Sequence, residues 1–161
     1  IGLSALIFVF QSAQAQVTFS PVSVEKMRAN GYEMQYDPGR FLVIYINGPL
    51  FFGTVNTFNN VLEKIKGSED IILSLRTVPL LDTTGISAIE NLIHQIEGGG
   101  RRIYISGLTE PVRSYLQRAG VIEHLGDDCV FWSAYEAIMA ADHYRTHVKS
   151  HTDEFVEPNI A

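Results

Sequence analysis

Hydrophobic positions along the chain alternate between two kinds of segment. Phe41–Asn47 (FLVIYIN), Asp70–Val78 (DIILSLRTV) and Arg102–Ser106 (RIYIS) are nearly continuous apolar, β-branched runs. A strand covered on both faces has no need of polar alternation, so these read as buried strands. Between them the period changes. Val55, Phe58, Leu62 and Ile65 fall on one helical face, and Ile86, Ile89, Ile93 and Ile96 do the same. The first helix is expected to open at a Thr54 or Asn56 cap and to end at Gly67. The second is expected to stop at Gly98-Gly99-Gly100. Glu110–Ala119 predicts a short helix with Val112, Leu116 and Ala119 inward, closed by Gly120. Asp128–Trp132 predicts a last short strand. Ser133 then caps a helix through about Val148, with Tyr135, Ile138, Met139 and Ala141 or Asp142 at its core edge. Upstream, Tyr32–Tyr36 alternates weakly and reads as a strand. Asp37-Pro38-Gly39-Arg40 is a turn, Pro presetting φ and Gly supplying a positive one, so a hairpin with Phe41–Asn47 is expected. Strands alternating with helices give an α/β fold. The hairpin makes the sheet mixed, with four to five strands and about four α-helices.

Composition changes this picture in two places. The 161 residues amount to about one domain, with 46% apolar residues, enough for a core. Net charge is −6, from 12 Lys and Arg against 18 Asp and Glu. No basic surface of the kind a nucleic acid requires is implied. Cys129 is the single cysteine, which excludes an internal disulfide and every multi-cysteine metal motif and suits a reducing compartment. Secondly, residues 1–24 carry no charge, the first being Glu25, and Ile1–Phe10 has one hydroxyl as its only polar side chain. The apolar run fades at Gln11, short of the roughly 20 residues of a full membrane span. Ser12-Ala13-Gln14-Ala15 resembles a signal-peptide cleavage site, without the positive n-region such a peptide carries. The third reading, the cytoplasmic end of a transmembrane helix, is the one adopted. The expected organisation is a membrane-helix end over 1–15, a linker over 16–31, a domain over 32–148 and a polar tail over 149–161.

The stretch with chemical content is Asp82-Thr83-Thr84-Gly85, where a strand ends and a helix opens on two hydroxyls. A helix N-terminus offers N–H groups and partial positive charge, which suits an anion or a phosphate carried on a threonine. Plain capping of the helix by one of these side chains is the other reading. His143, His147 and His151 share a helix face, but read as a solvated helix end rather than a metal site. Gly98-Gly99-Gly100-Arg101-Arg102 lacks the Lys-Ser/Thr of a phosphate-binding loop and follows a helix instead of opening one. Cys129 reads as a buried, inert thiol. Paired carboxylates, a Ser/His/Asp order and a Gly-x-Ser-x-Gly elbow are all absent from the sequence, so no catalytic residue, metal or cofactor is expected.

An Asp-hydroxyl-hydroxyl-Gly loop between a buried strand and an apolar-striped helix resembles the signature of the STAS domain. This family includes bacterial anti-sigma-factor antagonists and the cytoplasmic domain of SulP-type anion permeases. Gly48-Pro49-Leu50-Phe51-Phe52 resembles the segment after the central strand in permease members, and Leu116-Gln117-Arg118-Ala119-Gly120 resembles the family pattern at the end of the third helix. The likeness spans about residues 32–145. It implies a STAS-like fold and a regulatory, interaction role in a secondary transporter of the sulfate, bicarbonate or dicarboxylate class, on the cytoplasmic face of the inner membrane. It places a candidate phosphoacceptor at Thr84, beside Thr83, within Asp82–Gly85. It makes Asn47, Gly48, Pro49, Leu50, Phe51 and Phe52 a candidate docking surface. The implied partners are the membrane part of the same transporter, a cytoplasmic regulatory protein or a nucleotide, and a second copy through the full transporter. The other branch, a soluble antagonist controlled by phosphorylation, stays open at this point.

Overall fold

A computed structural model describes residues 15–51, 58 and 61–152. Five strands form one sheet in the order β1-β2-β3-β4-β5: Gln16–Pro21, Phe41–Asn47, Asp70–Thr77, Arg102–Ser106 and Val130–Phe131. β1 pairs antiparallel with β2, and every later pairing is parallel. Among the described residues there are six α-helices. They are α1 (Val24–Ala29), α2 (Val61–Lys64), α3 (Thr83–Gly98), α4 (Glu110–Arg118), α5 (Val121–Leu125) and α6 (Ala134–Thr152).

The central strands are apolar throughout because each alternates between two cores. Ile44, Ile46, Ile71, Leu73, Leu75, Ile103 and Ile105 pack one way, against Val61, Ile65, Ile89, Ile93, Ile96 and Leu116 of the helices. Phe41, Val43, Ile72 and Tyr104 face the other way, onto Met27 of α1 and Ala137, Ile138 and Ala141 of α6. The predicted stripe of α3 is observed, with Ile89, Ile93 and Ile96 buried and Ile86 partly so. Around the short α2 the inward pair is Val61 and, just past its end, Ile65, four apart, while Leu62 is exposed. Residues 54–57, where that helix was expected to open, lie outside the described residues, as do residues 1–14 of the membrane-helix end expected over 1–15.

The first third of the chain departs from the sequence reading. The residues expected as a linker form β1 and α1, and β1 rather than Tyr32–Tyr36 is the antiparallel partner of β2, with Gln16 opposite Asn47 and Pro21 opposite Leu42. β1 is an edge strand, half solvated, so only Val17 and Phe19 point to the core, and Pro21 sits where an edge tolerates a missing donor. The alternation of Tyr32, Met34 and Tyr36 is real, but it packs them onto the α6 side of the sheet in irregular backbone. What replaces a ladder there is one buried carboxylate. Asp142 of α6 accepts the Tyr36 amide at 2.8 Å, the Gln35 amide at 3.1 Å and the Tyr32 hydroxyl at 2.7 Å. Residues 38–40 form a single 3-10 turn, capped by Asp37, whose carboxylate accepts the Gly39 amide at 2.9 Å; Gly39 does not take the expected positive φ.

Smaller differences follow the same logic. Gly120 does end α4, but in a left-handed conformation (φ +82°) that restarts the chain as α5, a helix the pattern did not predict. Residues 127–129 form a 3-10 turn, so the last strand is Val130–Phe131 only. α6 begins where Ser133 accepts the Glu136 amide and runs to Thr152, beyond the predicted end near Val148.

Candidate functional site

In a parallel sheet the C-terminal ends of the strands share one edge, and the loops leaving that edge are where such folds place their sites. Here β2 ends at Asn47 and β3 at Thr77, and both predicted segments, 47–52 and 82–85, leave from that edge. The structure brings them into direct contact. Leu50 and Leu81 form an isolated parallel bridge: the Leu50 amide donates to the Leu80 carbonyl at 3.2 Å, and the Asp82 amide donates to the Leu50 carbonyl at 3.1 Å. Gly48, at φ +93°, turns the chain and donates its amide to the Thr77 carbonyl at 3.2 Å. The Thr77 hydroxyl donates to Asn47 Oδ1 at 2.5 Å. The two loops are thus extensions of the β2–β3 ladder past its regular end.

α3 opens directly on this ladder. Asp82 is the cap: its Oδ1 accepts the Gly85 amide at 2.7 Å, and its carbonyl accepts the Ile86 amide at 3.0 Å. Thr83 is exposed and Thr84 half-buried, at the first two helical positions. The amides of a first helical turn have no carbonyl before them in the helix, so the two hydroxyls sit in a field that stabilises negative charge. Gly85 has a steric reason. A Cβ there would stand 2.4 Å from the Leu50 carbonyl oxygen and 2.9 Å from the Leu50 carbonyl carbon. The glycine of the four-residue motif lets the helix start lie against the neighbouring loop.

The candidate docking surface changes in one respect. Leu50 is 0% exposed and belongs to the core, so it anchors the loop and cannot meet a partner. Asn47, Gly48, Pro49 and Phe51 are partly exposed, and Phe52 lies outside the described residues. Sequence reasoning missed a neighbouring feature of the same edge. Arg76, Gly107, Leu108, Thr109 and Trp132 line a cavity of about 230 Å³ beyond β3, β4 and β5, with Trp132 73% exposed. Only the topology assembles these residues, which come from the end of β3 and from the loops after β4 and β5.

Of the histidines set aside, His143 and His147 are exposed on α6. His143 and His147 stack at 3.9 Å between centroids, and His147 Nδ1 contacts the His143 carbonyl at 2.8 Å. Cys129 is buried, and burial pushes its thiol above the usual value, against the lowering pull of Arg102.

The STAS domain model matches residues 33–135. The chain belongs to the STAS domain family. Among solved STAS-fold structures, one from the SulP transporter of Vibrio cholerae is 28% identical, with 78% of this chain and 95% of that one covered at a TM-score of 0.61. A sulfate transporter family protein from Wolinella succinogenes is 32% identical, with 65% of this chain and 86% of that one covered at a TM-score of 0.60. The bicarbonate transporter BicA of a Synechocystis strain is 28% identical over 103 residues, 64% of this chain and 18% of its own length. This STAS domain is therefore similar to those of SulP-family sulfate and bicarbonate transporters. The chain spans between 17% and 24% of the length of the curated relatives it matches. Among the described residues no helix is long and apolar enough to cross a membrane.

Proposed function

We propose that this STAS domain is the regulatory and interaction domain of a SulP-type anion transporter, on the cytoplasmic face of the membrane, with residues 1–15 as the end of a membrane helix. One observation carries the reading: the chain overlays nearly the whole of a solved domain described as the STAS domain of a SulP transporter. The partners are the membrane part of the same transporter and a cytoplasmic regulatory protein or nucleotide, and a second copy is reached through the full transporter. The control point is the contact between 47–51 and 82–85. A charge placed at Thr84 enters the field at the start of α3 and bears on the loop that Leu50 pins to it.

The test is Thr84→Glu in the intact transporter. Anion uptake, or affinity for a cytoplasmic partner, should change while the circular dichroism and melting of the isolated chain stay as they were. Unchanged uptake together with unchanged affinity removes the loop from regulation. Kinase-dependent phosphate on Thr83 or Thr84, in a reading frame that encodes no membrane spans upstream, would replace the transporter reading with the soluble antagonist.

A further inference from the structure

We propose that His94, Glu97 and His124 form a binding site for a divalent transition-metal ion of the Zn²⁺ class, away from the loop contact described above. His94 and Glu97 lie one turn apart on α3, and His124 projects from α5 to meet them. One nitrogen from each imidazole and one carboxylate oxygen all lie within 4.8 Å of one another. His124 Nε2 is 2.8 Å from Glu97 Oε2, and the His94 ring meets the His124 ring edge-on at 5.1 Å.

Three features favour a metal over an ordinary surface ion pair. The first is the donor set. Two imidazoles and a carboxylate are what Zn²⁺ and its neighbours take, with bonds of about 2.0–2.2 Å and ligand atoms therefore roughly 3.4 Å apart in a tetrahedron. To reach that spacing the His124 and Glu97 atoms, at 2.8 Å, open by about 0.6 Å, and the exposed His94 moves in from at most 4.8 Å. An ion pair with Glu97 needs one imidazole, and the second adds nothing to it.

The second feature is rigidity beneath mobile tips. Ile93 and Ile96 of α3, and Val121 and Ile122 of α5, are buried in the same core, so the backbones that carry the ligands are fixed. The third is a recess. Glu90, Ile93, His94, Ala119, Gly120, Val121 and His124 line an open cleft of about 200 Å³. Glu90 stands one turn before His94 and lines this recess, and the fourth coordination position goes to water. The metal takes the place of the proton shared by His124 and Glu97, the usual exchange when an imidazole and a carboxylate become ligands. The other histidine pair is a natural control: His143 and His147 stack face to face within 20° of parallel, which keeps their in-plane lone pairs from converging.

The experiment uses the full 161-residue chain, stripped with a chelator, titrated with ZnCl₂ in a calorimeter and with CoCl₂ by visible absorption. One equivalent should bind, with Co²⁺ bands of nitrogen and oxygen ligation. His94→Ala and His124→Ala should weaken binding by more than the roughly 10–100-fold that loss of an outer partner costs, and Glu97→Gln by at least about tenfold. A His143→Ala/His147→Ala double variant should bind as the parent does. All three ligand positions are surface positions, and matched melting curves confirm folding. A parent chain that shows no saturable binding overturns the proposal. So does a site that survives His94→Ala and His124→Ala, or one that vanishes in the His143/His147 variant.

Discussion

Replacing Gly85 by alanine sets two well-characterised effects against each other at the centre of the candidate site. Gly85 is a helical residue without a positive φ, so helix propensity alone favours alanine, by about 1 kcal/mol. The structure says otherwise. The new Cβ would lie 2.4 Å from the Leu50 carbonyl oxygen and 3.0 Å from Leu50 Cβ. Those atoms are backbone and the root of a fully buried side chain, and cannot swing aside as a flexible side-chain end would. Overpacking of this kind costs about 1–3 kcal/mol. Relief by moving the loop strains the amide bonds that Leu50 and Asp82 make across the bridge, each contributing about 0.5–1.5 kcal/mol net. With about 2 kcal/mol of overpacking and about 1 of bridge strain against about 1 of propensity gain, the balance is a loss of roughly 2 kcal/mol, a fall of about 1 M in the urea midpoint. Gly98→Ala, in the last turn of the same helix, is the control, because its Cβ meets nothing within 4 Å. It should hold or raise the midpoint. If Gly85→Ala also holds or raises it, the contact between the helix start and the loop does not constrain the protein, and the steric account of the motif is wrong.

Other outcomes follow from buried polar groups. Asp142→Ala leaves the Tyr36 and Gln35 amides and the Tyr32 hydroxyl without their acceptor, and should cost about 3 kcal/mol or more, with faster hydrogen exchange at those two amides. Arg145→Ala strands Asp70, which is 0% exposed and bonded by the guanidinium through both oxygens, at a cost of about 3–5 kcal/mol at neutral pH. Burial holds the Asp70 carboxyl above its ordinary 3.8 despite Arg145. The folded state therefore keeps that proton where the unfolded chain has lost it, and this group favours folding most below 3.8 and less as pH rises. Without Arg145 the shift grows, so the deficit of Arg145→Ala should shrink in acid. That dependence is readable from urea midpoints at several pH values. Cys129 should react slowly with a thiol reagent at pH 8, because burial raises its pKa, and should titrate as one thiol per chain once urea unfolds the protein.

What could be read from sequence was whatever is repeated. The runs at 41–47, 70–78 and 102–106 are legible because strands covered on both faces leave no ambiguity, and the isoleucine stripe of α3 because a long helix repeats its period several times. β1 escaped because only Val17 and Phe19 face inward, too few to establish alternation. Tyr32–Tyr36 misled because side-chain alternation does not say what the backbone pairs with, and Asp142 is more than a hundred positions away. The same limit governs the site. Asp82 is recognisable as a cap from its neighbours, but the demand on Gly85 comes from Leu50, and a lone leucine among Gly, Pro and Phe gives no sign of being fully buried. His94 and Glu97 share α3, but His124 comes from a separate stretch of chain, joined to them only once α5 is known to exist.

The pairing of Gln16 with Asn47 has a mechanical meaning. Residue 15 delivers the chain to the sheet at the very rung where β2 passes into the 48–51 loop, and that rung is tied on through Asn47 to Thr77. Because β1 is an edge strand entered at that rung, a force applied at Gln16 across the strands peels the ladder one rung at a time, whereas a force along β1 loads all its bonds together. The first rung to yield is the one beside the loop that Leu50 seats against Gly85. A pull of a few ångströms on the entering segment would therefore be felt at the start of α3 before the rest of the sheet registers any load.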